Sequence, residues 1–137
     1  MNHINISVEE FTTPAPVTAT EDESLEEIAA LMQDFGIRHI PIVRNERVVG
    51  IISDRDLRFA AGLSVREEIF MQASDVMVAN PVTVSAGAYI DEVVFEMSEK
   101  KIGSVIVNDE NDELYGIFTV TDALNALVEI ARNFQRE

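Results

Sequence analysis

The chain of 137 residues contains no cysteine and only two histidines, His3 and His39. Disulfide staples and thiolate chemistry are thereby excluded, and two imidazoles make a poor zinc site. Basic residues are also scarce: 10 Lys and Arg stand against 25 Asp and Glu, for a formal charge of -15. Such a field opposes broad contact with nucleic-acid phosphates or anionic lipid. A small anion can still be held locally by a few arginines, because salt screens charges beyond roughly 8 Å. No apolar run approaches the roughly 18 to 20 residues of a membrane span. The start Met1-Asn2-His3-Ile4-Asn5-Ile6 has neither a basic region nor an apolar signal core, so a cytoplasmic location is expected.

What the chain does have is a core's worth of apolar residues, 47% of the total, and an internal repeat. Gly50-Ile51-Ile52-Ser53-Asp54-Arg55-Asp56 returns as Gly116-Ile117-Phe118-Thr119-Val120-Thr121-Asp122. Upstream, Pro16-Val17-Thr18 matches Pro81-Val82-Thr83, Leu25 and Ile28 match Ile90 and Val93, and Met32 matches Met97. Ile37 to Ile42 runs beside Ile102 to Val107. The register slips by one residue because the turn Asn108 to Glu113 is longer than Arg44 to Arg47.

Ser24 with Glu27 forms the signature of a capping box and predicts a helix start. Leu25, Ile28, Met32 and Phe35 then recur at helical spacing, Ala29 and Leu31 widen the apolar face, and Gly36 supplies a C-terminal cap. Ile40-Pro41-Ile42-Val43 and Val48-Val49-Gly50-Ile51-Ile52 predict a hairpin. Pro41 has no N–H to donate, so its strand is expected to begin there or to lie at an edge, leaving backbone groups free for a ligand. The second copy repeats the scheme with Ile90, Val93, Val94 and Met97 on its helix, which starts at Tyr89 without a capping serine. Helices are predicted after both hairpins, over 56–61 and 122–128. Each repeat thus reads strand, helix, strand, strand, helix, an α+β class. The expected organisation is a first repeat at 8–61, a connector at 62–73 bearing Val65, Ile69, Phe70 and Met71, and a second repeat at 74–131. Residues 1 to 9 read as an extension, and the last turn around Arg132 to Glu137 as a frayed end.

Two complete copies in this order resemble the tandem cystathionine-β-synthase (CBS) domain pair, or Bateman module, here without an attached effector domain. The resemblance rests on Pro-Val-Thr, the amphipathic helix, Arg38-His39-Ile40-Pro41-Ile42-Val43 and Gly-Ile-Ile-Ser-x-x-Asp, and on Asp75-Val76-Met77 before the second Pro-Val-Thr. It implies two repeats packed with pseudo-twofold symmetry, dimerisation into a disc of four repeats, and clefts for adenosine-containing ligands. Such modules regulate an enzyme, channel or transporter. The expected function is therefore an energy-sensing regulatory module that binds AMP, ADP or ATP and acts on a partner protein. The alternative is a structural dimerisation scaffold with empty or vestigial clefts.

The residues themselves suit a nucleotide. Ser53 and Thr119 each end a strand just before a helix, whose first amides carry partial positive charge and can receive phosphate. Asp56 and Asp122 then fall in the first helical turn, where a carboxylate can accept hydrogen bonds from ribose hydroxyls. Adenine is expected near Thr18 with Ile40 and Pro41, or near Thr83 with Val105. The plainer reading is that Ser53 and Asp56 only cap a helix. Charge separates the two sites: the first has Arg55, Arg38 and His39, whereas the second has Thr121, Gly103 and Ser104 at those places, with Val120 beside them and only Lys100-Lys101 nearby. Phosphate is expected at the first, with Arg58 a weaker candidate and Asp54 a point where magnesium could accompany a polyphosphate. No catalytic residue and no resident metal site is expected. His39 with Ser53 and Asp56 lacks a nucleophile turn or an oxyanion loop, and the run Asp109 to Glu113 lacks the glycine and glutamate of a calcium loop. The six glycines form neither a P-loop nor a dinucleotide-binding pattern, so a nucleotide would be sensed rather than hydrolysed. A homodimer is expected, because each repeat offers two apolar helix faces.

Overall fold

The computed structural model describes residues 4–14, 16–62 and 71–136. His3, Val65, Ile69, Phe70 and Glu137 lie outside them. The described chain forms two compact units, and these are not consecutive stretches of sequence. The first unit is Pro16–Pro81; the second joins Met1–Ala15 to Val82–Glu137.

In the first unit, β2 (Ala19–Thr20), α1 (Leu25–Phe35), β3 (His39–Arg44), β4 (Arg47–Ser53) and α2 (Asp54–Ala61) follow one another. α3 (Ala73–Val76) and β5 (Val78–Ala79) come after them. The sheet order is β2-β3-β4-β5. In the second unit, a 3-10 turn (Val8–Glu10) and β1 (Thr13–Pro14) are joined by β6 (Thr83–Ser85), α4 (Ile90–Lys100), β7 (Ser104–Asn108), β8 (Leu114–Thr119) and α5 (Val120–Arg136). Its sheet order is β1-β8-β7-β6. Both repeats therefore fold in the predicted element order. Each sheet gains a fourth strand, β5 or β1, from the segment that precedes the other repeat's Pro-Val-Thr.

Local chemistry sets most boundaries. Ser24 Oγ accepts from Glu27 N at 3.1 Å, and Glu27 Oε1 takes Ser24 N at 3.3 Å. Gly36 ends α1 in the left-handed region at φ 63°. Lys101 occupies the equivalent cap of α4 at φ 56°, and Tyr89 supplies no side-chain cap at its start. The β3–β4 turn places both Asn45 and Glu46 at positive φ, the twist that matches a two-residue hairpin. Around the longer β7–β8 turn, Asp109 Oδ1 accepts from Asn111 N at 2.8 Å and Glu113 N at 3.0 Å, so the carboxylate organises its own loop.

Each unit has its own core. Ile28, Met32, Ile40, Ile42, Ile52 and Ala73 fill the first. Val8, Ile90, Val93, Met97, Val105, Val107, Phe118 and Ala126 fill the second. Several expectations need correction. Phe35, Ala29 and Val94 are exposed, because Leu25, Ile28 and Met32, or Ile90, Val93 and Met97, already span the stripe that one sheet covers. β3 is an interior strand that starts at His39, so Pro41 is neither first nor at an edge. Residues 4–9 are no loose extension: Val8 is fully buried, Val8 N donates to Ala88 O at 2.8 Å, and Ile90 N donates to Ile6 O at 2.9 Å. α5 runs on to Arg136, two turns past its predicted end.

Candidate functional site

Strand pairing gathers the candidate residues of each unit at one end of its sheet. His39 faces Ser53 across the β3–β4 ladder, and Asp54 N donates to Arg38 O at 2.9 Å. Arg38, His39, Ser53, Asp54, Arg55 and Asp56 are thereby neighbours, although about 15 residues separate the two runs in sequence. The second unit repeats this: Ser104 faces Thr119, and Val120 N donates to Gly103 O at 3.1 Å. Thr121 is exposed beside them on α5.

At the end of β4, Ser53 and Asp56 form a reciprocal capping box. Ser53 Oγ accepts from Asp56 N at 3.1 Å, and Asp56 Oδ2 accepts from Ser53 N at 2.8 Å. Thr119 and Asp122 match it, with Asp122 Oδ2 accepting from Thr119 N at 2.8 Å and Thr119 Oγ1 accepting from Asp122 N at 3.3 Å. Thr119 Oγ1 also lies 3.1 Å from Asp122 Oδ2. Each box uses Oδ2 alone. Asp56 is half-buried, whereas Asp122 is buried.

The helix starts are less open than the sequence implies. Of the first three amides of α2, that of Asp54 goes to Arg38 O and that of Asp56 to Ser53 Oγ, which leaves that of Arg55. Positive charge at this place comes mainly from the side chains of Arg38 and Arg55. Both are exposed, and neither is held in an ion pair among the described residues. Arg58 instead pairs with Asp54 at 3.6 Å, one helical turn away on the solvent side. Among the described residues, no three His, Asp or Glu side chains gather as metal ligands would.

Ile40, Pro41 and Val105 have fully buried side chains. Ile40 and Val105 belong to the two cores, so a base lying near them would meet backbone rather than side chain. Thr18 is half-buried just before β2, and Thr83 begins β6 opposite Ile106. Here the units differ in a way only Pro41 signals. In the second unit Ile106 N donates to Val82 O at 2.9 Å. In the first, Pro41 stands at the equivalent place and has no N–H to give, so Val17 O lacks that bond and β2 pairs only from Ala19 onward. A depression of about 370 Å³ on α5, lined by Asn125, Val128, Glu129, Arg132 and Asn133, contains none of the candidate residues. No helix among the described residues is long and apolar enough to cross a membrane.

The sequence model of the CBS domain matches the chain twice, at residues 8–62 and 73–129. Among curated proteins the chain is similar to inosine-5'-monophosphate dehydrogenase of Korarchaeum cryptofilum, 31% identical over 114 residues. Those residues are 83% of this chain and 23% of that enzyme, so the chain spans about a quarter of the length of this relative. A Vibrio cholerae protein assigned to acetoin utilization (AcuB) has a solved structure with a TM-score of 0.82 at 30% identity, covering 98% of both chains. A CBS domain pair solved in complex with 5'-methylthioadenosine and S-adenosyl-L-methionine also reaches 0.82, at 26% identity, over 92% of this chain and 98% of that one.

Proposed function

The chain belongs to the CBS domain family, and from that premise we propose that it is a regulatory module that binds an adenine nucleotide of the AMP, ADP or ATP class. The observation that carries this reading is the meeting of Arg38, His39, Arg55 and the Ser53–Asp56 box at one strand end. Asp56 Oδ1 suits ribose hydroxyls, the two exposed arginines suit phosphate, and the carbonyl of Val17 suits the amino group of adenine. The complex of a related CBS pair with 5'-methylthioadenosine and S-adenosyl-L-methionine supports adenosine as the shared element. The module binds its ligand without converting it, and occupancy reaches a partner protein to the extent that two arrangements of the module differ in affinity. The first unit takes the phosphate-bearing ligand. The second, with Gly103, Ser104, Val120 and a buried Asp122, takes a less charged adenosine compound or none.

The capping boxes favour a second reading, a scaffold, because they give Ser53 and Asp56 a structural task that needs no ligand. A thermal-shift series with AMP, ADP, ATP, S-adenosylmethionine and NAD separates the two. Ligand at a hundredfold excess over Kd adds about 2.7 kcal/mol, on the order of 5 to 10 °C for a chain this long. Unchanged melting with every adenosine compound leaves the scaffold reading standing alone. Asp56→Asn keeps an oxygen for Ser53 N while removing the carboxylate charge, and calorimetry should show it weakening binding more than Asp122→Asn does. Equal effects would defeat the ranking of the two units.

A further inference from the structure

The geometry points to Arg58 as a positioning residue of the first unit: it holds the Asp54 carboxylate away from the start of α2, where phosphate docks. The inference rests on the reading that this unit takes a phosphate-bearing ligand. Without Arg58 the charges at this strand end cancel. Arg38 and Arg55 supply two positive charges, and Asp54 and Asp56 supply two negative ones. Asp56 is fixed by its reciprocal bonds with Ser53. Asp54 is tied in through its backbone, whose N–H donates to Arg38 O at 2.9 Å. Its carboxylate is therefore within reach of the place where Arg38 and Arg55 would meet an anion.

Helix geometry sends that carboxylate the wrong way for a phosphate. Asp54 is the first residue of α2, and helical side chains lean toward the N-terminus. The partial positive charge of the helix start also favours a carboxylate there. Both effects direct Asp54 toward the uncommitted amide of Arg55, the position that phosphate would occupy. Arg58 opposes them. Its Nη2 lies 3.6 Å from Asp54 Oδ2, one turn further along the helix, with 75% of its side chain in solvent. An exposed pair of this kind contributes little to stability, so its importance lies in where it leaves the carboxylate. The second unit supplies the internal comparison, because Val120 and Leu124 stand there in the places of Asp54 and Arg58. The acid and the arginine that restrains it occur together in the unit with Arg38 and Arg55, and both are missing from the unit that lacks those arginines.

Calorimetry on the full chain with adenosine, AMP and ATP tests this. Arg58→Gln should leave adenosine binding unchanged and weaken AMP by about threefold and ATP by about tenfold, since a released carboxylate repels in proportion to ligand charge. Arg58→Lys keeps a pair at i,i+4 with Asp54 and should bind as the wild type does. The decisive comparison is made in the Asp54→Asn background, where Arg58→Gln should change ATP affinity by less than about twofold. Equal losses in both backgrounds would show Arg58 acting on phosphate directly, and would overturn the proposal. So would equal weakening of all three ligands, the mark of a purely structural role. A wild-type chain that binds none of them defeats the nucleotide reading of the site and this inference with it. Wild-type binding of ATP that Arg58→Gln leaves intact defeats this inference alone.

Discussion

A Cβ on Gly116 would run into the carbonyl oxygen of Thr13, and one on Gly50 into the side chain of Met77. The glycines that close the two repeated motifs thus make room for β1 and β5, which pair there with β8 and β4. Backbone cannot yield, whereas a methionine side chain can swing aside. Gly116→Ala should therefore cost about 2 to 3 kcal/mol in urea unfolding and Gly50→Ala about 1 kcal/mol; a larger loss at Gly50 would contradict this account. The sequence shows the glycines recurring but not their reason, since the obstructing atoms lie about 100 residues away for one and about 27 for the other. The reverse holds for Ser53 and Asp56. Their capping geometry is written in a four-residue pattern, and it forms in both copies. Pro41 is intermediate: its missing N–H is evident from the residue type, but that it silences Val17 follows only from the parallel pairing of β2 with β3.

At the scale of elements, helix starts and stops are decided by residues within one turn of each other, which is why Ser24, Glu27 and Gly36 are legible in advance. The second repeat uses poorer residues at the same places, and this has a measurable consequence. Lys101 holds a left-handed cap at φ 56° that glycine adopts without steric cost. Lys101→Gly should raise stability by about 0.5 to 1 kcal/mol, and Gly36→Ala should lower it by about 1 kcal/mol. Destabilisation by Lys101→Gly in thermal or urea melts would show that the lysine side chain compensates for its backbone. Which apolar residues a helix buries is less legible. Phe35 fits the periodicity as well as Met32 does, yet lies beyond the sheet's reach and is 59% exposed. α5 carries a second stripe whose period is plain in sequence, but only the exposed surface there tells it apart from core.

At the scale of the whole molecule, the chain is not cut where its repeats are. Met1–Ala15 belongs with the second repeat, and Ala73 and Val78–Ala79 with the first. Val8 fills the second core from the far end of the sequence, so Val8→Ala should cost about 2 kcal/mol by the usual scale for emptied core volume. Urea unfolding checks this, and a loss under about 0.5 kcal/mol would mean that residues 4–10 do not anchor as described. By itself the sequence determined the α+β class, the order of elements in each repeat, the caps and the uneven charge of the two candidate sites. All of these rest on interactions between residues close in the chain, or on composition. Only the tertiary structure decided that Arg38 and His39 meet Ser53 and Asp54, that β1 and β5 cross into the other repeat's sheet, and which apolar faces remain bare. Those outcomes depend on register and on the extent of each sheet, which no local pattern encodes.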